Sequence, residues 1–433
     1  MIAKSVILLF AFLLPFYQIA GAQSRDEMMA FLRRHRSTVS AGATDSFSFD
    51  TSFYAHQYFF FGETHGSAQP QQTDWALFTQ LHRRAGVRYY IAEVDFSKAR
   101  LLNEYLSGGD TALLNKVFAS WRRDTAQWAN REHYEKWVRL RQWQRTLSRQ
   151  QQITVLGVDV PQDNALLHEH FVALTRNRKF GAWSQAIDSL HRLSARPDRK
   201  ELVAYAKRLL PVLDSNRSFF ERTLKGAFPA FRHLIASLTF LGAGNSRDKV
   251  MYLNLMIQLS GMSLQREKMY GFLGFYHCLQ TSYNQSMPFA ALLKQGLAPS
   301  ASMVSLVMLA LDSKTMLPFV GVLRQMMPQA QVEKLWREHP GFPASGRYVP
   351  YVLSAEDALM RVAGMDILRE LSEPGSVTLF GLEGSNSPFR SSRQFAEVGG
   401  FQSLQMTAAD GHTLDGFQYI LLFRNSRAAT PFE

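Results

Sequence analysis

A run of aromatic residues that stops on an acid and an imidazole constrains this chain more than any other stretch. Residues 57–61 read Gln-Tyr-Phe-Phe-Phe, and Gly62, Glu63, Thr64, His65 and Gly66 follow at once. The aromatic run has the composition of a buried strand. In an open α/β sheet, ligands bind in the crevice outside the carboxyl ends of the strands, and a strand ending here would deliver Glu63 and His65 to that crevice. The competing reading is an ordinary strand-to-helix turn whose polar residues cap the next helix.

The following residues favour the sheet. Trp75, Leu77, Phe78, Leu81 and Ala85 recur at near-helical spacing and Gly86 closes them, after which residues 88–93 (RYYIAE) form a second β-rich apolar run. Strand, helix and strand make a βαβ unit, which implies parallel pairing and a right-handed crossover. Glu93 is therefore expected beside Glu63, at the ends of adjacent strands, unless it caps the helix that begins near Ser97. A third strand over 153–158 leads to Asp159, repeating the pattern. Residues 268–277 carry two glycines in strand-like company and deliver His277, and residues 377–380 and 418–423 are the last clear strands. Glycine inside a strand marks close backbone approach or a ligand site.

Between these strands the chain reads as helical. The segment 128–149 allows an amphipathic helix with Tyr134, Trp137, Val138 and Trp143 on one side and Arg141 near the buried face. Residues 161–265 contain no convincing strand, and Ser246 is the expected N-cap of a helix starting at Arg247. Residues 285–372 read as a second helical block whose methionines, Met303, Met308, Met316, Met326 and Met327, fill core space. The expected class is α/β, with a mostly parallel central sheet flanked by helices and large helical insertions. Its segments are a leader (1–22), an N-terminal helix and linker (23–50), the first part of the core (51–160), a helical insertion (161–265), the strand carrying His277 (266–284), the second helical segment (285–372) and the closing strands (373–433).

Charge and targeting narrow the function. The formal net charge is +12, yet the basic residues are scattered among acids and no nucleic-acid motif accompanies them, so solvated helix faces account for them and no nucleic-acid partner is expected. Lys4, the apolar run 6–19 and Ala20-Gly21-Ala22 have the form of a signal peptide cut after Ala22. This implies an exported protein, periplasmic or secreted. No later stretch is long and charge-free enough for a membrane span. Cys278 is the single cysteine, which leaves no intramolecular disulfide and no cysteine cluster for structural zinc. There is no Walker loop, dinucleotide fingerprint or Gly-x-Ser-x-Gly elbow.

The order of these segments resembles the erythromycin esterase family. The resemblance runs through Gly62-Glu63-Thr64-His65-Gly66, the strand ending at Glu93 with its following helix, the region of Trp128 and Arg141, Gly157 and Asp159, the Arg247-Asp248-x-x-Met251 helix, His277 and the closing tail. Two features differ. One residue, not two, separates Glu63 from His65, a spacing closer to the ChaN-like haem-binding and Tiki/TraB-type proteins, and Gln280 stands where the family's second histidine is expected. The resemblance implies hydrolysis of a small-molecule ester or lactone without a cofactor. His65 would be general base, Glu63 or Glu93 would orient it, and His277 and Arg141 would hold the substrate or polarise its carbonyl, with Asp159 and Arg247 also at the substrate site. Glu63, His65, Glu93 and His277 would equally suit a transition metal, so haem binding and a metal-dependent protease are the alternative readings.

Overall fold

Six consecutive parallel strands, reaching from the third position to one margin, make up most of an eight-stranded sheet, and their carboxyl ends share one edge. The computed structural model describes residues 25–40, 47–298, 301–342, 346–357, 360–400, 403–408 and 411–432, so the expected leader lies outside the described residues. In chain order the strands are β1 (Arg36–Ser40), β2 (Tyr58–Glu63), β3 (Tyr89–Asp95), β4 (Thr154–Asp159), β5 (Met269–Gly274), β6 (Met303–Leu311), β7 (Ser313–Pro318), β8 (Tyr348–Leu353), β9 (Glu356–Asp357), β10 (Met360–Val362), β11 (Ser376–Gly381), β12 (Val398–Gly399) and β13 (Tyr419–Arg424). The large sheet has the order β1-β11-β13-β6-β2-β5-β3-β4. From β13 to β4 every pairing is parallel, while β11 runs antiparallel to both of its neighbours. β7 and β8 form a separate antiparallel hairpin, and β9, β10 and β12 a small third sheet.

Helices cover both faces, as a mostly parallel sheet requires. The chain opens with α1 (residues 25–34). On one face α2 (Gln69–Ala85), α3 (Phe96–Gly108), α4 (Thr111–Arg123) and α5 (Arg131–Gln144) share a core with Phe59, Phe61, Phe272 and Met308. Between β4 and β5 run α6 (Asn164–Thr175), α7 (Ser184–Ser194), α8 (Lys200–Ser215), α9 (Arg217–Leu224) and α10 (Phe228–Leu241), which bury a core of their own. α11 (Arg247–Gly261) and α12 (Phe289–Gly296) close the opposite face over Phe60, Ile91 and Leu156. Ser246 caps α11 by accepting from the Lys249 amide. Asp95, not Glu93, caps α3 through the Ser97 and Lys98 amides, which leaves Glu93 free for the strand edge. No described helix is long and apolar enough to cross a membrane.

Four expectations are corrected. β2 and β3 are parallel but not adjacent, because β5 lies between them. The register explains the fit: Gly271 of β5 is opposite Phe60 of β2, and a Cβ there would lie 2.6 Å from the Phe60 ring. Residues 285–372 are not mostly helical, since they hold β6, β7 and β8. β6 (MVSLVMLAL) is buried along its whole length and divides its side chains between two cores, so its sequence shows no alternation to set it apart from a core helix. Residues 36–40, expected in a linker, are the edge strand β1; its polar sequence (RSTVS) suits a position with one open edge. His277 lies beyond β5, in a 3-10 turn over Phe275–Cys278.

Candidate active site

β2 ends in Glu63, whose side chain is buried, and the chain then turns through Thr64, His65 and Gly66. Gly66 makes the turn at φ +87°, where a Cβ would lie 2.5 Å from Thr315 Oγ1 and 2.6 Å from the Met316 carbonyl oxygen. That closeness lets β7 clasp the loop. Met316 N donates to the Gly66 carbonyl at 2.8 Å, and Thr315 Oγ1 and Gln127 Nε2 donate to the His65 carbonyl at 2.7 and 3.1 Å. The C-terminal tail holds the loop again, through Ala429 N to Gly66 O at 2.8 Å. The Trp128 ring packs on the His65 ring with centroids 4.2 Å apart.

The charged groups form one connected set. His65 Nδ1 is 3.1 Å from Glu63 Oε1, so this carboxylate accepts the hydrogen bond from Nδ1–H and leaves Nε2 on the other side of the ring, 3.9 Å from Glu93 Oε1. Glu93 Oε2 accepts from the Gly274 amide at 2.6 Å, and Glu93 Oε1 accepts from Arg247 Nη2 at 2.7 Å. Arg247 also grips Asp159, with Nε to Oδ1 at 2.8 Å and Nη2 to Oδ2 at 2.6 Å. His277 Nδ1 is 2.7 Å from Asp248 Oδ1, which also accepts from the Phe289 amide at 2.7 Å. Gly274 keeps the centre open, because a Cβ there would meet His65 Cε1 and Nε2 at 3.1 Å. Glu63, His65, Glu93, Arg247 and His277 border a cavity of about 400 Å³, and the β7–β8 hairpin supplies Leu317, Tyr351, Val352 and Leu353 to its apolar wall.

By sequence alone the chain matches no family model and no curated protein. By structure it is similar to a protein from Bacillus cereus (TM-score 0.66, 13% identity, covering 94% of this chain and 99% of that one). It is also similar to a succinoglycan biosynthesis protein (TM-score 0.62, 13% identity, 94% and 99%). A third likeness is to the erythromycin esterase EreC, solved as a histidine-to-asparagine mutant in its open conformation (TM-score 0.61, 12% identity, 92% and 99%). The chain has the erythromycin esterase-like fold. At these identities the likeness concerns the fold alone.

On that erythromycin esterase-like fold, five of the seven site residues expected from sequence meet at the cavity: Glu63, His65, Glu93, His277 and Arg247. Asp159 is buried behind Arg247 and acts on it, not on the cavity. Arg141 is elsewhere, a correction to its expected role. Its Nη1 donates to the Leu106 carbonyl at 2.6 Å near the end of α3, where the negative end of the helix dipole attracts a guanidinium. Sequence reasoning assigned no role to Asp248, Gln127 or Thr315. Asp248 stood in the Arg-Asp motif, while the other two carry no local signal.

Environment sets the charges. Burial works against a charged His65, but its hydrogen bond to Glu63 and the field of Glu93 outweigh it and raise its pKa above the ordinary value. Burial pushes Glu63 up, and His65 and Lys136 offset only part of that. Burial alone would raise Glu93 too, yet His277, His65 and Arg247 hold it well below the usual carboxylate range. His277 is opposed by burial and raised to about 10 by Asp248 and Glu93. With two carboxylates against it the ring is charged, so its Nε2–H faces Glu93 Oε1 at 3.5 Å and does not accept from Arg247 Nη1 at 3.3 Å. Among the described residues no three His, Cys, Asp or Glu side chains are arranged to hold a metal ion, and the Arg247 guanidinium occupies the place between Glu93 and Asp159.

Proposed function

We propose that this chain is an exported hydrolase of the erythromycin esterase family that cleaves an ester or lactone with a histidine-activated water. One observation carries the reading: His65 is anchored through Nδ1 on a buried carboxylate and keeps Nε2 as an unblocked base at the cavity. In the reaction, Nε2 accepts a proton as the water oxygen bonds to the acyl carbon, and the carbonyl electron pair moves onto oxygen. Arg247 and His277 are the cationic donors bordering the cavity that would meet this negative charge. When the intermediate collapses, the acyl C–O bond breaks and His65 returns its proton to the departing alkoxide, giving acid and alcohol. Glu63 fixes the ring's tautomer and offsets the imidazolium charge. Glu93, anchored by Gly274 N and Arg247, supports the same charge from the other side.

A panel of p-nitrophenyl esters and aliphatic lactones tests this. His65→Asn is expected to lower kcat/KM by about 10²–10⁴-fold on any ester the purified protein hydrolyses, with an unchanged circular dichroism spectrum. Wild-type rates in that variant would remove His65 from the mechanism.

A further inference from the structure

Residues 128–137 (WANREHYEKW) are distinctive in sequence, and the hydrolytic scheme leaves most of them unused. Their hydrogen bonds converge on one purpose. Asn130 caps α5 by accepting from the His133 amide at 2.8 Å, and its side-chain amide ties back to the Gln127 carbonyl at 2.8 Å. Trp137 Nε1 donates to His133 Nε2 at 3.0 Å, so that nitrogen carries a lone pair and His133 Nδ1 carries the proton, donated to the Trp128 carbonyl at 3.0 Å. The chain Trp137, His133, Trp128 thus pins the backbone of the tryptophan whose ring lies on His65. One turn further along, Lys136 Nζ bonds Asp74 Oδ2 at 2.6 Å, and Tyr90 and Tyr270 hydroxyls donate to the same buried carboxylate, fixing α5 to α2, β3 and β5.

We propose that Trp128 is a positioning residue of the reaction centre: its indole holds the His65 ring against Glu63 and favours the ring's charged form. A cation within about 6 Å of an aromatic centroid is stabilised by the ring's π system, and here the two centroids are 4.2 Å apart with the ring planes tilted by 53°. The other groups facing His65 are Glu63 on its own strand end, Glu93 from β3, His277 from the turn after β5, and Arg247 from α11 across Glu93. From α5, His133 is held neutral by burial and the charge of Lys136 acts on Glu63, while the contact that Gln127 and Thr315 make with His65 is to its carbonyl. The consequence for turnover rests on the hydrolase reading; the contact itself does not.

The test compares wild type, Trp128→Phe, Trp128→Leu and His65→Asn by histidine NMR titration and tryptophan emission against pH. A protonated imidazole quenches an indole in contact with it. Wild-type emission is expected to fall as pH drops through the His65 midpoint, and that step is expected to vanish in both Trp128→Phe and His65→Asn. The His65 midpoint is expected to drop by about half a pH unit or more in Trp128→Leu and by less in Trp128→Phe, which keeps a ring. With p-nitrophenyl acetate the acid limb of kcat/KM moves with it. His82, against Trp143 with centroids 4.6 Å apart and held to a lowered pKa by burial, gives its own step at lower pH in every variant; a step at the wild-type His65 midpoint that survives in His65→Asn, or a His65 midpoint unmoved in Trp128→Leu, overturns the proposal. If the leucine variant does not fold, the emission step in wild type and Trp128→Phe decides. Absence of any ester turnover by wild type would count against the hydrolase reading alone, since emission and NMR need no substrate.

Discussion

Glu63 faces two opposed demands, because burial favours its neutral form while His65 needs it ionised. The same contact raises the His65 pKa above its ordinary value, so the base becomes available only as pH rises through that higher midpoint. Glu63→Gln removes the anion and keeps the shape. The acid limb of kcat/KM is therefore expected to move to lower pH in this variant, with a reduced plateau, and pH–rate profiles measure both. An unshifted limb would assign the titration to another group. At this scale much of the site was legible, since the sequence itself shows Glu63 closing a strand, His65 just beyond it and Glu93 near the end of another. Asp248 was not, because its role depends on His277, 29 residues later, folding back onto it.

Among the elements, the turn after β2 shows how little freedom the site leaves. Gly66 adopts a positive φ in direct contact with the backbone of β7, and a methyl group there would have to displace a main-chain carbonyl. Gly66→Ala is expected to destabilise the fold by about 1–3 kcal/mol and to lower activity further by parting β7 from the His65 carbonyl. Urea denaturation with parallel ester assays checks both effects, and wild-type stability in this variant would contradict the clasp. The apolar periodicity of α2 and the β-rich run of β3 announced those elements. β6 did not announce itself, because a strand buried on both faces has the same composition as a core helix.

At the scale of the whole molecule, the sheet and the helical insertion answer differently to acid. His170 and His233 belong to the insertion helices α6 and α10, and burial pushes them down to about 3 and about 4. Both are neutral when folded and take up a proton on unfolding below about pH 6.5, so the stability they contribute is lost as pH falls from about 6.5 toward 4. His277 has the opposite sign: raised to about 10, its contribution is complete below about pH 6.5 and fades as pH climbs through 10. Hydrogen exchange at pH 6.5 and 4.5 is expected to show α6 and α10 losing protection before β2, β5 and β6, and uniform loss would refute this. The amino-acid sequence by itself determined the class of fold, the strands that end in Glu63 and Asp159, the strand that carries Glu93 two residues before its end at Asp95, and the helical character of residues 161–265, because side-chain periodicity and strand-end chemistry are local. Only the tertiary structure decided that β5 separates β2 from β3, that Arg141 serves a helix end, and that Thr315, 250 residues from His65, steadies the GETHG turn. Those choices depend on which buried surfaces fit one another across the sheet, and no local pattern records that fit.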